Sequence, residues 1–175
     1  MRRLAALTLT LVLVLAGLAL GTAGSAVGTR LGAGLSIAVP AGWHLALRLT
    51  GLAEPVERFT LASFPLRRPP DAASSCGPVR AVDAIPAAGA LVFVFEYGPH
   101  GTSAGEFPPR PRHFAVPAGP ARPYECFGLG WLLRFRVGSR RFQAMIALGR
   151  RAGPERARLL AALDSLRVDA AGAGH

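Results

Sequence analysis

The sequence predicts an α+β domain: an antiparallel β-sheet with a C-terminal amphipathic helix packed on it, preceded by an N-terminal signal or anchor helix. Three observations predict this. Short segments of alternating or unbroken apolar, β-forming residues recur between residues 35 and 148. Leu159, Leu160, Leu163 and Leu166 then recur at helical spacing near the C-terminus. The order of strands, a small helix, strands and a closing helix gives a sheet with helices laid on it. The chain of 175 residues suffices for one such domain once a targeting segment is set aside.

The N-terminus carries the strongest signal. Arg2 and Arg3 precede "LAALTLTLVLVLAGLAL" (4–20), and no charged residue follows until Arg30. A basic start before a long apolar run is what export requires, with the arginines retained in the cytoplasm. "GTAGSA" (21–26) offers small residues to a signal peptidase. The run is longer than an ordinary signal core and about as short as a membrane span, so residues 1–26 fit a cleaved signal or an uncleaved anchor. Residues 27–34, "VGTRLGAG", read as a linker to a single domain over 35–169.

That domain opens with alternation at Leu35, Ile37 and Val39, a Pro40-Ala41-Gly42 turn, and alternation again at Trp43, Leu45, Leu47 and Leu49: two short strands around a turn. Residues 56–64 form a third strand with Phe59 and Leu61 inward, ended by Pro65, Pro69 and Pro70. Residues 76–86 have room for one or two helical turns, with Pro78 at the start and Pro86 as a stop. "ALVFVFEY" (90–97) is unbroken and β-forming, hence a central strand covered on both faces. Residues 98–123 hold seven prolines and four glycines and read as a long loop, with a short extended piece at 113–116. Across Trp131 to Leu148, Gly138-Ser139 suits a two-residue type II′ turn. That turn sets Phe135 opposite Phe142, Arg136 opposite Arg141 and Arg134 opposite Gln143. Leu133, Phe135, Phe142, Ala144 and Ile146 then share the core face, and Arg134, Arg136, Arg141 and Gln143 share an exposed one. Gly153-Pro154 opens the closing helix, with Glu155 where the helix dipole favours an acid. Residues 170–175 are a flexible tail.

The Pro-x-Gly-Trp turn in "VPAGW" (39–43) and the closing "LLAALDSLRV" (159–168) resemble the two ends of the PsbP-like superfamily. That superfamily includes the extrinsic PsbP subunit of photosystem II and many exported bacterial proteins. Both motifs are packing features. The resemblance therefore implies a fold and carries no catalytic residue, and the Pro/Gly-rich insert at 98–123 departs from it.

Composition and spacing narrow the chemistry. All 20 basic residues are arginine, with no lysine and no asparagine, a codon bias of a high-GC bacterial genome. The net charge of +10 is partly that bias, and no basic helix or aromatic-basic repeat supports nucleic-acid binding. In an exported chain, Cys76 and Cys126 are expected to pair, closing a loop of about 50 residues for roughly 4 kcal/mol at most. "GTSAG" (101–105) matches the G-x-S-x-G pattern of serine hydrolases, with His100 beside it. The strand ends near Tyr97, well before Ser103, and prolines follow Gly105, which is the wrong frame for a nucleophile elbow. His44, His100, His113 and His175 lack metal-ligand spacing. No metal, cofactor or catalytic residue is expected. The expected role is a non-catalytic exported or membrane-tethered domain that binds a partner or supports the envelope. The alternatives are an extracytoplasmic hydrolase using Ser103, and an anionic-surface binder using Arg134, Arg136 and Arg141. Expected partners are the membrane, through residues 4–20 if these stay attached, and envelope proteins or an anionic surface.

Overall fold

The computed structural model describes residues 27–47, 55–66, 77–98 and 106–169. Residues 1–26 and the tail 170–175 lie outside them, so the signal, anchor and tail expectations are not addressed by the described residues.

Two antiparallel sheets form. Residues 27–34, expected to be a linker, instead make a strand and a turn. Strand β1 (Val27–Gly32) pairs with β2 (Leu35–Val39) around Ala33 and Gly34. Both turn residues have positive φ, 49° and 67°, the requirement of a type I′ hairpin turn. A glycine-rich string has little intrinsic strand preference; β1 forms because β2 offers it a hydrogen-bonding edge. The far edge of β2 pairs with β9 (Arg167–Val168), giving the order β1-β2-β9.

The second sheet has the order β3-β4-β5-β8-β7-β6. Its strands are β3 (His44–Ala46), β4 (Val56–Ala62), β5 (Ala90–Tyr97), β6 (Arg122–Tyr124), β7 (Gly128–Val137) and β8 (Arg140–Leu148). The expected turn at Pro40-Ala41-Gly42 is present, with Gly42 at φ 77° and the Trp43 amide donating to the Pro40 carbonyl at 3.1 Å. The strands around it belong to different sheets, because both edges of β2 are occupied and β3 pairs with β4. The β7–β8 hairpin has the register its turn dictates: Phe135 opposite Phe142, Arg136 opposite Arg141, Arg134 opposite Gln143, with Gly138 at φ 59°.

Strand β5 lies between β4 and β8, and residues 90–94 are buried to within 1%. Its alternation feeds two cores. Val92 and Val94 join Phe59, Leu61, Phe135, Phe142 and Ile146 on one face. Helix α2 (Gly153–Asp164) covers that face with Leu159 and Leu163, and the small sheet adds Leu35 and Ile37. Leu91, Phe93 and Phe95 face the other way, with Met145, Phe127 and Val82 of the short helix α1 (Val79–Asp83).

The two ends of the domain interlock. The Trp43 indole N–H donates to Glu155 Oε2 at 2.9 Å, and the Arg158 guanidinium lies 5.7 Å over the Trp43 ring. Arg158 also donates to the Ala41 carbonyl at 2.6 Å. Ser165 Oγ accepts the Ala38 amide at 2.8 Å. The described part of the proline-rich segment is anchored as well. The Arg136 amide donates to the Pro108 carbonyl and the Arg110 amide to the Arg136 carbonyl, both at 2.9 Å, and Phe114 packs edge-on against Phe135 at 5.0 Å. Residues 113–116 form no strand; Phe114 holds them by burial.

Phe135→Ala removes a ring buried completely between Phe114 and Phe142. It is expected to destabilise the domain by about 3–5 kcal/mol in urea unfolding. Leu129→Ala, at a side chain 60% exposed, is expected to change stability by less than about 0.5 kcal/mol in the same measurement.

Candidate functional site: the polar end of the large sheet

Apart from Arg122 on β6, the charged residues of the large sheet gather at one end, on both of its faces. The register builds the first face rung by rung. Glu57 pairs with Phe95, Phe95 with Gln143 and Gln143 with Arg134; beyond them, Tyr97 pairs with Arg141 and Arg141 with Arg136. Directly paired residues on antiparallel strands share a face. Arg134, Arg136, Arg141 and Gln143 therefore do lie together. Their environments differ from the exposed face expected. Arg134 pairs with Glu106 at 3.0 Å and with Gln143 Oε1 at 3.2 Å. Arg141 is only 8% exposed and donates to the Gly98 carbonyl. Gln143 is buried and also accepts from the Tyr97 hydroxyl at 3.3 Å. Buried Thr60 donates to buried Glu57 at 3.1 Å. Arg136 alone of the three arginines is exposed without an ion-pair partner among the described residues. Alternation assigned the face correctly; what covers that face is a tertiary matter.

The second face holds a cluster that the hairpin reading did not bring out. Arg140 has the same strand parity as Phe142, and Glu96 the same parity as Val94, so both point toward the helix-covered core. There Glu96 accepts Arg140 Nε at 2.7 Å and Nη2 at 2.8 Å. Its Oε2 also accepts Arg58 Nε at 2.7 Å. Arg58 reaches it because a bulge between Glu57 and Phe59 interrupts the β4–β5 pairing. Arg140 Nη1 donates to the Ala33 carbonyl at 2.9 Å and so ties this cluster to the β1–β2 turn. Burial alone would push the Glu96 carboxyl up. The Arg140 hydrogen bonds, the charges of Arg58 and Arg140, and the Arg58 hydrogen bond outweigh it and hold the carboxyl below its usual value of 4.5. The signal was present in the sequence: an acid and an arginine each occupy a core-facing position of their own strand.

The remaining sequence candidates scatter. Ser103 and His100 of the G-x-S-x-G stretch, and His175, lie outside the described residues. His44 is exposed at the β3 edge. His113 is exposed, with Nδ1 3.2 Å from Asp164 Oδ2. Among the described residues, no group of three or more His, Cys, Asp or Glu side chains is placed to hold a metal, and no helix is long and apolar enough to cross a membrane. Cys126 is disulfide-bonded and has φ 67°; Cys76 lies outside the described residues. Its neighbour Gly77 sits so close that a Cβ there would come within 2.6 Å of the Cys126 carbonyl oxygen.

No protein-family model, curated protein or solved structure matches this chain.

The arginine–glutamate cluster makes two measurable demands. Glu96→Gln leaves Arg140, 5% exposed, without its counter-charge and is expected to cost about 3–5 kcal/mol in urea unfolding. Because the folded carboxyl titrates below 4.5, its stabilisation is full above that value. It is lost as pH falls through 4.5 toward the lower folded value. The stability gap between wild type and Glu96→Gln is therefore expected to narrow steadily across that acid range.

Proposed function

We propose that this chain is an exported or membrane-tethered, non-catalytic PsbP-like domain with a binding or envelope-structural role. The observation that carries export is the pairing of a basic, apolar N-terminus with a disulfide-bonded cysteine. Arg2 and Arg3 precede the apolar run 4–20, and the structure has Cys126 in a disulfide. Disulfides persist outside the reducing cytoplasm. With two cysteines in the chain, Cys76 is the intramolecular partner for Cys126, and the close approach of Gly77 to Cys126 favours that pairing. The bond would join the stretch before α1 to the turn between β6 and β7.

The PsbP-like part of the reading rests on the two motifs at 39–43 and 159–168, and the segments that carry them are held against each other. Trp43 of the "VPAGW" turn bonds Glu155, and the chain before it is held at Ala41 by Arg158, at Ala38 by Ser165 and at Leu35 by Val168. A non-catalytic role is supported by the way the polar groups of the large sheet are spent. Glu96, Arg140, Arg58, Arg134 and Gln143 bond one another or neighbouring strands and so hold the sheet together. Binding would then fall to exposed arginines such as Arg136.

The intact chain, expressed in a bacterium and fractionated with thiol trapping, is expected in the membrane or the extracytoplasmic fraction. Its gel mobility is expected to shift on reduction and to lose that shift in Cys126→Ser. Recovery in the cytoplasm with both thiols free would overturn the reading.

A further inference from the structure

The small sheet carries a groove beside the Ala38–Ser165 hydrogen bond. Its outer face follows from register. Leu35 and Ile37 point into the core, so Ser36 and Ala38 point outward. Arg30 of β1 and Arg167 of β9 both pair with Ser36, and Gly28 pairs with Ala38. One rung thus presents Arg30, Ser36 and Arg167 to solvent. The next presents only Gly28 and Ala38, which are small enough to leave a depression. A cavity of about 420 Å³ opens there, its wall including Gly28, Ser36, Ala38, Arg110, Asp164 and Arg167.

Two cations, Arg110 and Arg167, line the groove, and Arg30, outside its wall, stands on the same rung as Ser36. Arg30 and Arg167 are in no ion pair among the described residues. Arg110 spends Nη2 on the Leu163 and Asp164 carbonyls, at 3.2 and 2.7 Å, and its Nε is buried without a hydrogen-bond partner. The one acid in the wall is already engaged: Asp164 Oδ1 accepts the Phe114 amide at 2.7 Å, and Oδ2 faces His113. The backbones of Arg30 and Arg167 flank Ser36 and stand two strand spacings apart, about 9.6 Å, a span within reach of two arginine side chains. Guanidinium groups from two directions with a hydroxyl between them match the several oxygens of a tetrahedral phosphate better than the two of a planar carboxylate.

We propose that this groove binds a phosphate group, and that the phosphate is the headgroup of an anionic phospholipid. The second clause rests on the membrane-tethered form of the proposed function. Six residues, seven chain steps, separate Leu20, the end of the apolar run, from Val27, the start of β1. Fully extended, that is at most about 25 Å, so a tether at residues 4–20 keeps β1 and its groove near the headgroup layer.

The test uses isotopically labelled full-length chain in neutral maltoside micelles, with the backbone amides of Gly28, Ser36 and Ala38 as reporters. One arm adds inorganic phosphate, a second dihexanoyl phosphatidylglycerol and a third dihexanoyl phosphatidylcholine. Saturable shifts at these three amides are expected with phosphatidylglycerol. They should weaken about tenfold or more in Arg30→Gln/Arg167→Gln and stay unchanged in Arg150→Gln, at an exposed arginine outside the groove. A variant spectrum unaltered away from the groove shows that the fold is retained. Equal affinity for inorganic phosphate would keep the phosphate site and overturn the lipid source, as would equal affinity for the zwitterionic lipid. No saturable shift in any arm, or wild-type affinity in the double variant, overturns the site itself. Cytoplasmic recovery in the fractionation experiment bears on the lipid source and leaves the phosphate titration standing.

Discussion

A strand buried on both faces must be covered on both faces, and β5 imposes that condition on the whole domain. Its residues 90–94 have no exposed side to give to water. Val92 and Val94 require one apolar layer, and Leu91 and Phe93 require another. Helix α2 and the small sheet supply the first, while α1 and Phe127 supply the second. The strands on either side, β4 and β8, follow the same alternation and extend both cores. At roughly 25 cal/mol per Å² of apolar surface buried, this two-sided cover is the main source of stability. The polar contacts largely decide how the covering pieces are oriented.

The charged cluster at the end of the large sheet is the counterpart of that apolar rule. Glu96 and Arg140 occupy positions that alternation sends into the core. Ion pairs in such places contribute little net stability, since desolvation offsets most of the attraction. Their consequence is geometric. Arg140 has one partner on β5 and another at the β1–β2 turn, so the two sheets are tied at a fixed point. Arg58, carried by a bulge, adds a third strand to the same carboxylate. Arginine suits this role because one planar group serves several acceptors at once. An arginine-rich chain thus uses part of its charge internally, and its formal net charge overstates what its surface offers to a partner.

The outer positions of the two sheets are treated differently. On the large sheet, Arg134 and Arg141 are drawn into contacts with Glu106 and Gly98. On the small sheet, Arg30 and Arg167 remain available beside a depression floored by Gly28 and Ala38. Exposed cations beside a concave surface are a better basis for recognition than cations already spent on the protein's own acids and carbonyls.

The sequence by itself determined much of the local structure. Gly138-Ser139 fixed the register of the β7–β8 hairpin, because a two-residue turn allows only one pairing of its strands. Unbroken apolar residues at 90–94 marked the central strand, and leucine spacing marked α2, because both patterns reflect burial of the element that carries them. Glu96 and Arg140 were legible as core-facing charges from parity alone. Tertiary structure decided what depends on distant neighbours. The glycine-rich residues 27–32 became a strand only because β2 had an open edge. Arg167 and Val168 became β9 because the far edge of β2 was also open. Arg141 and Gln143 lie on the face that alternation predicted, yet they are buried because segments far along the chain fold over them. The groove exists only because pairing brings Gly28, Ser36 and Arg167 from three strands side by side. Pattern within a segment reports which side of that segment is apolar; which other segment arrives to cover it is set by long-range pairing that no local pattern encodes.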